Sequence, residues 1–96
     1  MHFEWDESKN RTNREKHGLD FEVVFAFDWE NALVADRTRQ SEGEQRYAAL
    51  GVYSGKIHTV VFARRGLNIR IISLRRSNRK EERAYAAAKG KDENPA

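Results

Sequence analysis

An α+β domain is the fold class this sequence predicts: an antiparallel sheet of about four strands, flanked by two N-terminal helices and one C-terminal helix. Three features lead there. Residues 46–74 read as apolar, alternating strands broken by tight-turn residues. Residues 6–17 lie between a helix-starting Asp6 and a helix-stopping Gly18. Asn78 stands three residues before Glu81 at the head of a run of helix formers, the spacing of a capping box. With 96 residues the chain has room for one domain, read as residues 1–90 followed by a flexible tail, 91–96.

Taken in order, residues 2–5 alternate enough for a short opening strand. The helix over 6–17 contains almost no apolar residue, so it lacks the stripe that normally holds a helix to a core. Lys9, Asn13 and Lys16 or His17 recur along one of its faces, placed to point at a ligand. Asp20 caps a second short helix in which Phe21, Val24 and Phe25, with Phe27 and Trp29, read as core. Residues 32–36 read as a strand and 37–43 as a polar loop. The meander follows over 46–53, 57–63 and 67–74, with turns at Ser54-Gly55 and at Gly66. Simple alternation along its last strand puts Ile69, Ile71, Ser73 and Arg75 on one face, and Arg70, Ile72, Leu74 and Arg76 on the other. The closing helix runs from about Arg79 to Lys89, with Ala84, Tyr85 and Ala88 inward and Gly90 as its end.

Several chemistries lose support at once. The absence of cysteine removes disulfides, thiolate nucleophiles and sulfur-ligated metals, and suits a reducing cytoplasm. No apolar run approaches the roughly 20 residues that span a bilayer, so neither a membrane nor a location outside the cytoplasm is expected. His2, His17 and His58 are scattered without ligand spacing, and no metal or cofactor is expected. Neither a Gly-rich phosphate loop nor a serine elbow is present, which leaves nucleotide hydrolysis and acyl transfer unsupported.

Charge is more informative. The net charge is only +3, but residues 1–36 carry four cations against nine carboxylates, whereas residues 64–83 carry eight against two. Such a basic segment concentrates a polyanion on one surface, and the acidic first third is expected to face away from it. RNA can be cut without a metal, because its 2′-hydroxyl attacks the adjacent phosphorus when a base takes the proton and an acid protonates the departing 5′-oxygen. Arginine suits the cationic part of that task through its bidentate fork. Arg70 lies mid-strand between Ile69 and Ile71, a costly place unless it meets a carboxylate such as Glu4 or Glu44, or reaches a cavity. Glu44 and Arg46 point to the same side as a base-and-clamp pair, or as a plain surface ion pair. His17 beside Lys16 is of a type suited to proton transfer or to a helix C-terminus. Tyr85 reads as a proton donor, a stacking ring or core, and Arg79 and Arg83 extend the basic strip by one helical turn.

The same residues carry a family resemblance. Phe3-Glu4-Trp5-Asp6, Asn13, Lys16-His17-Gly18 and Phe21 are similar to the N-terminal signature of BrnT toxins. Gly43-Glu44 with Arg46, Gly51, Ile69-Arg70-Ile71-Ile72-Ser73, Arg75-Arg76, Glu81 and Tyr85 continue it in order; Leu74 and Glu82 depart from the small and the basic residue expected there. The resemblance implies a RelE-like fold and a ribonuclease that arrests translation by cutting mRNA, free or on the ribosome. It also implies neutralisation by a BrnA-type ribbon-helix-helix antitoxin, through which alone operator DNA is bound. Carried over residue by residue, it implies a catalytic set of Lys16, His17, Glu44, Arg46, Arg70, Arg75 and Tyr85, with base and acid unassigned, and RNA contacts from Lys9, Asn13, Arg76, Arg79 and Arg83. A non-catalytic RNA- or ribosome-binding module and a protein-interaction domain are the competing readings.

Overall fold

A computed structural model describes residues 2–39 and 43–93, with side chains described as far as Gly90. The chain runs β1 (His2–Glu4), α1 (Glu7–His17), a 3-10 helix (Phe21–Phe25), β2 (Leu33–Asp36), β3 (Arg46–Tyr53), β4 (Lys56–Arg65), β5 (Asn68–Arg76) and α2 (Arg79–Glu93). The strands form one five-stranded sheet in the order β1-β5-β4-β3-β2. The neighbours from β2 to β5 are antiparallel, whereas β1 lies parallel to β5. The sheet is therefore mixed and five-stranded, not antiparallel with about four strands. A hairpin turn marks its pairing locally; a parallel neighbour brought from the other end of the chain leaves no such mark.

Local signals near the start of the chain are realised. The Asp6 carboxylate accepts from the Ser8 and Lys9 N–H groups, and Gly18 closes α1 in the left-handed region at φ 70°. The second predicted helix is reduced to a short 3-10 helix, so among the described residues two α-helices stand where three were expected. Tertiary bonds are the reason. The Val24 carbonyl accepts from Trp29 Nε1 at 2.8 Å, and the Asp28 N–H donates to the Val52 carbonyl at 3.0 Å, so the two groups that would continue an α-helix are drawn elsewhere. Most of the expected apolar residues reach the core, but Phe25 does not: it stays exposed, with its ring against Phe3 and Trp5. Phe21, Val24 and Phe27 pack with Ala49, Val60, Phe62, Ile69, Ile71 and Leu74. Gly51 is required by that packing, since a Cβ there would lie 2.6 Å from Phe27 Cζ.

Two further boundaries differ. α2 does not stop at Gly90 but continues to Glu93, and residues 94–96 of the expected tail lie outside the described residues. Residues 40–42 of the polar loop also lie outside them, while Arg39 and Glu44 on either side form an isolated antiparallel bridge.

α1 owes its polarity to how it is attached. Its buried side chains are Asn10 and Asn13. Asn10 Oδ1 accepts from the Phe21 N–H at 2.9 Å. Asn13 reaches the open edge of β5, accepting from the Leu74 N–H at 3.0 Å and donating to the Leu74 carbonyl at 2.8 Å and the Leu19 carbonyl at 2.9 Å. An amide side chain thus completes the edge beyond β1, whose pairing with β5 ends at Glu4↔Arg70. Replacing Asn13 by alanine strands two buried backbone groups of Leu74 and the part-buried Leu19 carbonyl. Asn13→Ala is expected to lower stability by about 2–4 kcal/mol in urea unfolding, with an unchanged slope, while Lys9→Ala changes it by less than about 0.5 kcal/mol.

Candidate functional site

A β-bulge decides which side chains meet. On β4, Thr59, Val61 and Ala63 alternate regularly and share one face of the sheet. Ala63 pairs with Arg70 and Thr59 with Arg75, but the register shifts between Val61↔Ser73 and Phe62↔Ile71, leaving Ile72 as an extra residue on β5. Arg70, Ser73 and Arg75 therefore lie on one face, where uninterrupted alternation separates Arg70 from the other two. Arg46 joins them, because it also pairs with Ala63, and a row Arg46–Ala63–Arg70–Glu4 crosses four strands. The same shift turns Leu74 into the core beside Ile69 and Ile71, and sends Arg76 to the core-side face, where it is exposed at the sheet's end.

Each arginine on this face meets a carboxylate that lies outside its own strand. Arg70 Nη1 lies 2.8 Å from Glu4 Oε2, and Asn68 donates to Glu4 Oε1 at 2.9 Å. The Asn68 hydrogen bond and then Arg70 hold the Glu4 carboxyl below its ordinary pKa. Arg70 is thus the ion-pair partner of Glu4, and the acidic first third does not face away from the basic strand. Glu44 sits between Arg65 Nε at 3.0 Å and Arg46 Nε at 3.5 Å, and the Arg65 hydrogen bond, followed by charge from both arginines, keeps it ionised. Arg75 donates Nη1 and Nη2 to Glu81 Oε1 and Oε2 at 2.7 and 2.8 Å. That fork is the main reason the Glu81 carboxyl is lowered to about 2. Glu81 also closes the expected capping box, accepting from the Asn78 N–H at 2.9 Å while its own N–H donates to Asn78 Oδ1 at 2.8 Å.

The remaining candidates arrange themselves around this face. Lys9, Lys16 and His17 on α1 line a groove of about 240 Å³ whose opposite wall is Ile72 and Ser73 of β5. Ser73 connects that groove to the arginine face. Asn13 borders the groove too, yet it is buried with its amide bonded to backbone, so it serves attachment and not a ligand. Arg79 and Arg83 are exposed on α2 and border an open hollow with Glu82 and Ala86. Tyr85 is half-buried, with Lys89 Nζ 5.7 Å from its ring centre. Among the described residues, no three His, Asp or Glu side chains gather as a metal site, and no helix is long and apolar enough to cross a membrane.

Residue reading alone did not single out Ser73 or Arg65. Regular alternation assigns Ser73 to the core face with Ile69 and Ile71, and a hydroxyl in an otherwise apolar run was the available signal. Arg65 lay in the hairpin tip, read as a turn.

A family model described as the ribonuclease toxin, BrnT, of a type II toxin-antitoxin system matches residues 5–81. A search of the curated proteins finds no match. The matched span holds every arginine of the sheet face and Glu81; Glu4 precedes it, and Arg83 and Tyr85 follow.

The Arg75–Glu81 pair sets an acid limit. Because the folded-state pKa of Glu81 lies below the ordinary value of 4.5, the pair contributes its stability in full above that value and loses it as pH falls towards about 2. Thermal melts over this range are expected to show a steeper decline for the wild type than for Glu81→Gln, with the two curves converging at the acid end; parallel curves would refute the pairing.

Proposed function

The chain belongs to the BrnT family of ribonuclease toxins of type II toxin–antitoxin systems, and from that premise we propose that it cuts RNA by a metal-independent route. The substrate's 2′-hydroxyl attacks the neighbouring phosphorus, the 5′-oxygen leaves, and a 2′,3′-cyclic phosphate remains. The observation that carries this reading is the convergence of Arg46, Arg70 and Arg75 on one face, each oriented by a carboxylate outside its own strand. Guanidinium groups held in this way suit the phosphate oxygens as they gain charge, and one preorganised donor is worth about 3–4 kcal/mol in such a transition state. The donor set favours a metal-free route, since Glu4, Glu44 and Glu81 are already engaged by arginines.

In this reading the groove along α1 takes the strand beside the scissile phosphate, with Lys9 and Lys16 as cations and His17 as a proton donor. Glu44, kept ionised by Arg65 and Arg46, is the base or orients one. Tyr85 stands on α2 as a second proton donor or a stacking ring. Arg79 and Arg83 contact phosphates further along, and Arg76, on the other face, reaches RNA only where the strand passes the sheet's end. Translation stops because mRNA is cut in the cytoplasm. A BrnA-type ribbon-helix-helix antitoxin neutralises the toxin and carries the contacts to operator DNA.

Purified protein mixed with RNA and excess chelator is expected to give fragments ending in cyclic phosphate. Intact RNA under these conditions, with binding retained, would assign the surface to a non-catalytic RNA-binding module instead. Arg70→Lys is expected to stay folded yet cut about tenfold or more slowly, since a lysine keeps the charge but not the fork. Glu44→Gln is expected to lower kcat more than affinity for RNA; equal losses would make Glu44 a group that only positions the strand.

A further inference from the structure

Arg75 is held in an unusual manner for a residue that must meet a phosphate. The Glu81 fork takes one hydrogen from each terminal nitrogen, Nη1 and Nη2. A guanidinium has five N–H donors, so an end-on pair of this kind leaves the side edge, Nε–H with the second Nη2 hydrogen, pointing away from the carboxylate. Besides the Glu81 fork Arg75 makes one long bond, from Nη1 to the Arg76 carbonyl at 3.5 Å; among the described residues Nε takes part in no hydrogen bond, and the Arg75 side chain remains 33% exposed while Glu81 is 19% exposed. The free edge presents two parallel donors, the geometry that matches two phosphate oxygens.

Glu81 is itself immobilised. Its Oε1 accepts from the Asn78 N–H in the capping box as well as from Arg75. Behind it lies a buried hydroxyl pair, Thr59 Oγ1 and Ser77 Oγ at 2.7 Å, and Thr59 is the cross-strand partner of Arg75. The carboxylate is therefore fixed to the first turn of α2, and through that turn to the end of β5. The cap explains why a carboxylate or amide belongs at this position, but a cap alone needs only one oxygen, and here both are used.

We propose that Glu81 is a positioning residue for RNA cleavage: it clamps the end of the Arg75 guanidinium so that the free Nε edge meets the substrate phosphate. This rests on the ribonuclease reading above, in which Arg75 contacts the reacting phosphate, and assigns to Glu81 no contact with RNA of its own. Glu81→Gln keeps the shape and the cap, because Gln also completes a capping box, but it replaces one acceptor with an amide and weakens the fork. The consequence falls on the transition state, where geometry matters most, and less on RNA binding.

Two measurements on the full chain test this. In steady-state cleavage with chelator present, Glu81→Gln is expected to lower kcat about tenfold to a hundredfold while KM stays within about threefold. In a double-mutant cycle, adding Glu81→Gln to Arg75→Ala is expected to cost nothing further. Unchanged kcat per folded molecule, or losses that multiply in the double variant, overturn the proposal. The second measurement does not depend on activity. The Arg75 Nε–H resonance, assigned by its disappearance in Arg75→Ala, is expected to be sharp in the wild type and to shift when a fully 2′-O-methylated RNA oligonucleotide is added. In Glu81→Gln it is expected to merge with the averaged arginine signals. A resonance equally sharp in Glu81→Gln, or unmoved by the oligonucleotide while backbone amides of β5 shift, defeats the positioning role. Should the wild type cut no RNA while the resonance behaves as expected, the ribonuclease reading fails and the orientation of Arg75 by Glu81 stands.

Discussion

Arg70 and Arg75 are five residues apart, an odd interval that an uninterrupted strand sends to opposite faces. The extra residue at Ile72 makes the interval behave as an even one. The same insertion brings Leu74, which is fully buried, into the core that Ile69 and Ile71 already occupy. A regular strand would satisfy only half of these demands: with Ile69 and Ile71 inward, it would turn Arg75 into the core and Leu74 out to solvent. Placing an uncompensated guanidinium there would cost far more than a local break in the ladder. Core and site are thus reconciled by one irregularity in β5, and everything on the arginine face depends on it.

The bulge has a second partner in α1. Past Arg70, β5 has no strand on its outer side among the described residues, and an open edge leaves backbone groups without partners. The Asn13 amide offers one donor and one acceptor in the manner of a peptide unit, and it satisfies both groups of Leu74. A helix attached through amides needs no apolar stripe, which accounts for the composition of α1. Its solvent-facing side is left free to carry Lys9, Lys16 and His17 along the groove whose other wall is Ser73. Attachment and display are divided between the buried and the exposed sides of one polar helix.

What the sequence made legible was local. Asp6, Gly18, the Ser54-Gly55 turn and the Asn78–Glu81 box each act within a few residues, and each is realised. What it hid involves partners far apart in the chain. Glu4 meets Arg70, 66 positions away, so a charge count along the chain separated an acidic first third from a basic strand that the fold joins. The bulge is invisible for a similar reason, because alternation assumes that the neighbouring strand keeps step. Asn13 looked available to a ligand because nothing in a polar helix distinguishes an asparagine bonded to a distant strand from one facing water. The 3-10 turn leaves no local signal, because Trp29 and Val52, both outside it, take the bonds an α-helix would use. Of the candidate site residues, the arginines were legible as types, and their shared face was not.

The pairing of each arginine with a carboxylate has an energetic logic of its own. Neutralising a guanidinium weakens its attraction for RNA at long range, so approach is left to the exposed cations of α1 and α2, whose effect is screened by salt. At short range the balance changes. An arginine side chain carries about 2 kcal/mol of rotamer entropy, and a clamp by Glu4, Glu44 or Glu81 removes much of that freedom when the chain folds, before any substrate arrives. Glu4 comes from β1, 66 residues from Arg70, and Glu81 from the first turn of α2, while Glu44 precedes Arg46 by two residues and is shared with Arg65 of β4. The cationic face can therefore hold its geometry only after β1 has docked beside β5 and α2 has closed its first turn, and its preorganisation is a property of the tertiary fold, not of the basic segment that contains two of its three arginines.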